Sequence, residues 1–462
     1  MTWASTSTHI LSVLVVLPLV LAKFTTADIA LWFLFGTIVN LQLVGDMGFS
    51  ATFSRVIAYA MGGAGIDRLK NQQQVVSGVN ARQPNWDAVQ SIVVTMRYVY
   101  FRLSLIVFVV LAVAVTAALV KPVSAVDDAV SAWLAWGLVL AGVIVGLWGG
   151  VYSSYLQGSE EIAKLRRWEA LSTLGSTATS VLVLVSGGEL LSLIAVTQGW
   201  AVFNVLRNRW LCRVVKDRRF ARFAGAGVDK AVLDAVWPSA WRSGVGVFTT
   251  YGLVQASGLI YAQVGSTANV ASYLFALRMM QVVNRFALAP FYTKLPTLAR
   301  LRSQGDISQQ IEVAKQGMSW VYWVYVFGFV GVGIFADPLM RMIGAKVEFV
   351  GPLIWAVLGL AMFVERYGAM HLHLYSTTNH IIWHVVSAGF GVIYIVVSLS
   401  LLPVLGMLAF PLGWLAGQLG FYAWYSALHS YRTFNLKFWA FEKTTALPPL
   451  FVALLYSIWS IF

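Results

Sequence analysis

The chain has 462 residues, of which 59% are hydrophobic and only 11% charged. A soluble surface cannot be built from so few charges, and apolar runs of about 20 residues, each long enough to cross a bilayer, recur along the chain. The composition therefore predicts an all-α polytopic membrane protein and excludes a membrane β-barrel, whose strands need alternating rather than continuous apolar residues. Single Cys212 excludes a disulfide framework and a cysteine-based metal centre. The net charge of +13 (32 Lys+Arg against 19 Asp+Glu) would suggest nucleic acid in a soluble protein; here its distribution between loops matters more than its sum, and no nucleic-acid partner is expected.

In chain order, the apolar runs predict helices near 8–24, 29–61, 98–120, 130–157, 168–186, 190–211, 238–263, 268–293, 318–336, 350–375, 381–402 and 405–429. The first is a retained membrane helix, since no basic region or cleavage pattern of a signal peptide precedes it. The second is too long for one crossing and should project from the membrane. Segment 447–462, opening with Pro448-Pro449, reads either as a short thirteenth helix or as an interfacial one. No loop is long enough for a folded extramembrane domain.

Orientation follows from alternate loops. One set carries Arg68, Lys70, Arg82, Lys164, Arg166, Arg167, the run 207–230, Lys294, Arg300, Arg302 and Lys315, with Arg432, Lys437 and Lys443 beyond the twelfth helix; the other holds only Lys23, Lys121, Arg341 and Lys346. The basic set is cytoplasmic by the positive-inside rule, which puts the N-terminus inside. The densest run, Arg207 to Arg222, reads first as anchoring to anionic headgroups, and second as a collector of an anionic lipid substrate. It divides the chain into an N-terminal six-helix bundle (1–211), a basic cytoplasmic linker (212–237), a C-terminal six-helix bundle (238–430) and a tail (431–462). A faint repeat agrees: Phe33-Leu34-Phe35 before Asp46 and Ser50 can be laid on Tyr273-Leu274-Phe275 before Phe286 and Pro290. Internal repeats are a frequent plan for membrane transporters.

A charge at the bilayer centre costs at least about 2.5–3.5 kcal/mol, so each asks for a partner or a wet cavity. Asp46, Arg55, Arg242, Arg278, Arg285, Glu365 and Arg366 fall within apolar runs. The arginines outnumber the acids, and water plus an anionic ligand is the natural complement to that surplus, because guanidinium forks suit phosphate oxygens. Arg278, Gln281 and Arg285 lie at i, i+3 and i+7 and share a helix face, with Asn284 beside them. Arg242 is expected in the first turns of the seventh helix, after Trp237-Pro238. These five are the candidate substrate-binding residues, set against snorkelling or structural ion pairs; for Arg55 snorkelling is the better reading. Asp46 and Glu365 are candidates to carry a coupling ion, Na+ or H+, against simple compensation of a neighbouring arginine such as Arg366. His371, His373, His380 and His384 read as headgroup-level residues; the i, i+4 spacing of His380 and His384 on a helix could otherwise ligate a metal, but neither acid nor cysteine accompanies them. No cofactor is called for. Trp133, Trp136, Trp237 and Trp241 read as an interfacial belt, and Gly142, Gly146, Gly149 and Gly150 as sites of close helix contact.

The segment Gly45-Asp46-Met47-Gly48-Phe49-Ser50-Ala51-Thr52-Phe53-Ser54-Arg55, continuing to Tyr59 and Gly62-Gly63-Ala64, resembles a recurrent second-helix segment of polysaccharide flippases. These belong to the multidrug/oligosaccharidyl-lipid/polysaccharide exporter (MOP) superfamily, and the likeness is to the O-antigen (Wzx-type) flippases. Met47 stands where leucine is usual, and Ala51 where proline is common. The resemblance implies two six-helix bundles around a central cationic cavity. It also implies movement of a polyprenyl-diphosphate-linked oligosaccharide across the bacterial inner membrane by alternating access, for surface polysaccharide (O-antigen-like) biosynthesis. By the same analogy Arg242, Arg278 and Arg285 become contacts for diphosphate or acidic sugar; the partners are the lipid-linked oligosaccharide, membrane lipids, and the polymerase and chain-length regulator of the pathway. Two rivals stand beside it. A membrane glycosyltransferase or polymerase would need positioned acids, whereas Asp127-Asp128 and Glu160-Glu161 read as solvated, so no enzymatic activity is expected. A drug exporter of the same fold would favour an acidic rather than an arginine-rich cavity.

Overall fold

The computed structural model describes residues 15–65, 83–223, 228–378, 380 and 382–462, and every regular element among them is helical. A helical stretch at 15–23 is followed by α1 (Thr26–Gly45), α2 (Phe49–Met61), α3 (Trp86–Ser124), α4 (Ala129–Gly158), α5 (Ile162–Val185) and α6 (Leu190–Val214). Then come α7 (Lys230–Val264), α8 (Thr267–Tyr292), α9 (Leu295–Ser303), α10 (Ile307–Met342), α11 (Pro352–Ser376) and α12 (Trp383–Leu405). The last three are α13, which is Ala409–Gly417 continued through one π turn into Ala423–Phe434, α14 (Phe438–Glu442) and α15 (Leu447–Ile461). Among the described residues nine continuous helical stretches are long and apolar enough to cross a membrane, one of which, Trp383–Phe434, contains the turn at Gly406 between α12 and α13. α8 is not among the nine, because Arg278, Gln281, Asn284 and Arg285 interrupt its apolarity.

Helix starts fall earlier than the apolar runs suggest. Asn85 caps α3 through Ala88 N at 3.1 Å, Asp229 caps α7 through Ala231 N at 2.9 Å, and Asp306 caps α10 through Gln309 N at 3.0 Å. Each cap satisfies backbone donors of the first turn and starts an amphipathic extension ahead of the apolar stretch. Consequently Pro238 lies inside α7, and Arg242 sits in its fourth turn rather than its first.

The expected single helix over 29–61 is instead two. α1 stops at Gly45, Met47 and Gly48 take positive φ (48° and 72°), and α2 begins at Phe49. Gly48 is required here twice over: by its left-handed backbone, and because a Cβ would lie 2.4 Å from Cβ of Ser243 on α7.

The chain divides into two compact units, residues 1–255 and 256–462, and segment 212–237 lies wholly within the first. α7 passes through the boundary just after a π turn at Phe248–Gly252. In the first unit α4 packs along α6, α2 and α3, and its glycines receive side chains: Gln198 at Gly142, Gln42 at Gly146 and Tyr100 at Gly150. Arg97 donates to the Phe223 carbonyl (2.9 Å) and lies over the Phe220 ring, tying the basic segment after α6 to α3. In the second unit Tyr325, Phe329, Trp355 and Phe363 stack between α10 and α11. α15 lies along the same two helices: its start is bonded to Glu442, which pairs with His371 of α11, and Tyr456 reaches Phe329 and Gly333 of α10. At 15 residues it extends about 22 Å, most of a bilayer core of about 30 Å, so it is a helix packed lengthwise with its neighbours.

Candidate substrate-binding and coupling sites

In the first unit the turn between α1 and α2 builds a cradle around Asp46. The half-buried carboxylate accepts from Ser50 N (3.1 Å), Ser50 Oγ (2.6 Å) and Tyr100 Oη (2.6 Å), while Ser50 Oγ and Tyr100 Oη are themselves 2.7 Å apart. Its partners are hydroxyls and a backbone N–H, and among the described residues no guanidinium lies within ion-pair distance of it. Ser50 is the second residue of α2, so the helix break at 46–48 lets Asp46 reach a first-turn amide of the helix that follows, where the dipole favours an anion. Tyr100 is the residue the sequence reading missed, its only signal being Gly150 opposite it on α4.

Against this turn packs the segment of α7 that carries Arg242. Ser243 meets Gly48, Gly244 meets Met47, and Trp237 lies 6.2 Å from Phe49. Arg242 itself is exposed, between exposed Trp237 and Trp241. Arg207, by contrast, is buried and held by neutral oxygens: Ser172 Oγ (2.6 Å), Asn204 Oδ1 (2.8 Å) and Asn208 Oδ1 (2.7 Å). Of the basic run it alone is folded into the bundle in this way, and the asparagines at i−3 and i+1 were its signal.

In the second unit α8 presents Arg278, Gln281 and Arg285 on one face, opposite the face where Met280, Val283, Ala287 and Phe291 are buried. Arg278 and Gln281 are half-buried and Arg285 is exposed. The two arginines are seven residues apart, about 10 Å along the helix. Among the described residues neither has an acidic partner within ion-pair distance. Asn284 turns to the edge of this face: its Nδ2 approaches Met362 Sδ (3.6 Å), and its Oδ1 is buried without a hydrogen bond among the described residues. Arg242 thus belongs to the first unit, and Arg278, Gln281, Asn284 and Arg285 to the second.

Glu365 and Arg366, adjacent on α11 and both nearly inaccessible, form an ion pair with each other. The histidines separate. His380 precedes α12 and bonds at Thr378, so the helical i, i+4 relation to His384 is not formed. His373 sits among the rings of Phe291, Tyr292 and Trp383. His371 is completely buried within the bundle and meets Glu442 of α14 at 3.0 Å. That carboxylate also accepts from Tyr431 Oη (2.6 Å), Thr445 Oγ (2.6 Å) and Ala446 N (3.3 Å). Burial opposes its ionisation, but the bonds from His371, Thr445 and Tyr431 outweigh burial and hold the Glu442 carboxyl below its ordinary range.

No protein-family model and no curated protein matches the sequence. Solved structures do match. An inward-facing multidrug resistance MATE family transporter of the MOP superfamily aligns with TM-score 0.60 at 13% identity, over 92% of this chain and 96% of its own. An outward-facing MATE family transporter aligns with TM-score 0.58 at 12% identity, over 95% and 94%. A MOP superfamily transporter from Pyrococcus furiosus, described as having a binding pocket of reverse polarity that suggests a different function, aligns with TM-score 0.59 at 12% identity, over 94% and 93%. The chain is a multi-pass membrane protein with the fold of MOP superfamily transporters.

Proposed function

We propose that the protein is a flippase that carries a polyprenyl-diphosphate-linked oligosaccharide across the bacterial inner membrane by alternating access, for assembly of a surface polysaccharide. The observation that carries the proposal is the face of α8, where Arg278 and Arg285 lie in an otherwise largely apolar helix without an acidic partner among the described residues. A diphosphate cannot enter hydrocarbon alone, and guanidinium groups offer it the paired N–H donors it loses from water. Gln281 and Asn284 add neutral hydrogen-bonding groups suited to sugar hydroxyls, and within the first unit Arg242 is a candidate phosphate contact of its own. Partly hydrated arginines also release the ligand, which a closed cage would not.

For coupling to Na+ or H+, Asp46 is favoured over Glu365. Its donors are exchangeable hydroxyls, whereas Glu365 would first have to surrender Arg366. The fold shared with multidrug MATE transporters supports a second reading, export of a drug. Cations would then have to be carried past an arginine face, which Coulomb repulsion in a medium of low dielectric opposes. The reverse-polarity pocket of the Pyrococcus furiosus neighbour fits the anionic reading better.

The test is a leaflet assay in proteoliposomes with a labelled lipid-linked oligosaccharide. Wild type should translocate it, Arg278→Ala should not, and a cationic dye should not be taken up. Equal translocation by wild type and the Arg278→Ala/Arg242→Ala variant would remove the site; uptake of the dye without the lipid would replace the function with drug export.

A further inference from the structure

A hollow lies in the second unit where α10 ends, α11 starts and α15 finishes. It has a volume of about 380 Å³ and is lined by Asp337 and Gly333 of α10, Phe349, Trp355 of α11, and Tyr456 and Trp459 of α15. That volume is within the range of small-ligand sites. Its wall is preassembled: Trp355 Nε1 donates to the Phe329 carbonyl (3.2 Å), Trp355 packs against Phe329 and Phe349, and Tyr456 stands edge-on to Phe329 and 6.2 Å from Trp459. Trp459 is 70% exposed and Asp337 is exposed, so the rim is open. One turn beyond Asp337, exposed Arg341 holds its Nε 3.4 Å from the Asp337 carbonyl, which places the guanidinium at the same rim.

Aromatic rings with one carboxylate are the chemistry that recognises an organic ammonium group, and a guanidinium beside them is the chemistry that recognises a phosphate. The two lie together at helix ends, the level at which lipid headgroups sit and where tryptophan and tyrosine collect. We propose that this hollow binds the headgroup of a zwitterionic aminophospholipid, with the ammonium held by Asp337 and the rings of Tyr456 and Trp459, and the phosphate by Arg341. The proposal is independent of the substrate carried on α8. It gives α15 a role that a twelve-helix transporter lacks, as one wall of a lipid site.

The experiment is native mass spectrometry of the full chain purified into detergent with equal amounts of phosphatidylethanolamine and phosphatidylglycerol. Wild type should retain phosphatidylethanolamine in preference to phosphatidylglycerol by about five-fold, the size of one exposed cation–π contact with its carboxylate. Asp337→Asn and Trp459→Leu should each reduce that ratio toward one, and Arg341→Gln should lower retention of phosphatidylethanolamine. All three side chains are exposed, so the variants should melt at the wild-type temperature; should one not, the other two decide the matter. Displacement of the lipid by free phosphoethanolamine would support recognition of the headgroup itself. Equal retention of both lipids, a ratio that Asp337→Asn and Trp459→Leu leave unmoved, or displacement by a neutral disaccharide instead would overturn the proposal, the last by making the hollow a sugar platform.

Discussion

The faint repeat pairs α1 with α8, and the two units treat that place in opposite ways. In the first, the helix breaks at Met47-Gly48, and the acid at the break is enclosed by Ser50 and Tyr100 of its own unit. In the second, the helix continues unbroken through Phe286 to Tyr292 and carries two arginines, one half-buried and one exposed, that meet no acid among the described residues. The contrast separates two uses of charge in a medium of low dielectric. A charge satisfied by its own protein stabilises the fold and yields to an ion only by exchange, whereas a charge left to water is paid for by a ligand.

The largest effect expected from this contrast is on transport. Arg278→Ala should reduce lipid-linked oligosaccharide flipping by about two to four orders of magnitude, because two charge-assisted hydrogen bonds to phosphate are lost at about 1.5–3 kcal/mol each. Its melting temperature should stay at or above that of wild type, since the substitution removes one of two like charges and no internal partner. Arg278→Lys should restore part of the flux, keeping the charge but not the fork. A loss of stability equal to the loss of flux would show that Arg278 is structural after all and erase the difference between the units.

Asp46→Ala should behave in the opposite manner, destabilising the protein by about 2–3 kcal/mol because it strands Ser50 Oγ, Ser50 N and Tyr100 Oη. Thermal unfolding in detergent measures this directly. If Asp46 also binds the coupling ion, Asp46→Asn should lose the dependence of flux on the Na+ or proton gradient while keeping most of the stability. A smaller cost, about 1–2 kcal/mol, is expected for Gly48→Ala, from its positive φ and the contact with Ser243. That substitution leaves every charge in place, so an equal effect on flux would assign importance to the turn rather than to the acid.

The apolar part of most helices was legible because apolar runs are set by bilayer thickness, and the surplus of arginines was legible because lipid makes any charge conspicuous. Three things were hidden. The break at 46–48 lies in a continuous apolar pattern, and Met47 and Gly48 announce a positive φ only weakly. The early starts of α3, α7 and α10 are turns more polar than the runs that follow them, which hydropathy does not register although Asn85, Asp229 and Asp306 mark them as caps. The partners of buried charge come from distant segments: Tyr100 for Asp46, Ser172 for Arg207 and Glu442 for His371 are each separated by more than thirty residues, and no local pattern encodes such a meeting. The face of α8 was readable because its residues share one helix and need no partner.

The mildest expected effect concerns Glu442, which carries the logic of Asp46 into the second unit. Its carboxylate accepts from four donors, and the groups facing it are His371 and Tyr367 of α11, Tyr431 of α13 and, at longer range, Tyr322 of α10 and Arg366. Because the folded-state pKa is depressed, its contribution to stability is complete above the unfolded carboxyl value of about 4.3 and disappears as pH falls through the lower folded value. Glu442→Gln keeps one acceptor oxygen and the shape, so it should cost only about 1 kcal/mol near neutral pH. The difference in melting temperature between wild type and Glu442→Gln should therefore be present at about pH 7 and close as the solution is taken to about pH 3. A difference that persists unchanged into acid would mean that the carboxyl is already protonated in the fold. The pair with His371 would then be a neutral hydrogen bond, and the α14 segment would be held to the bundle by Thr445, Tyr431 and packing alone.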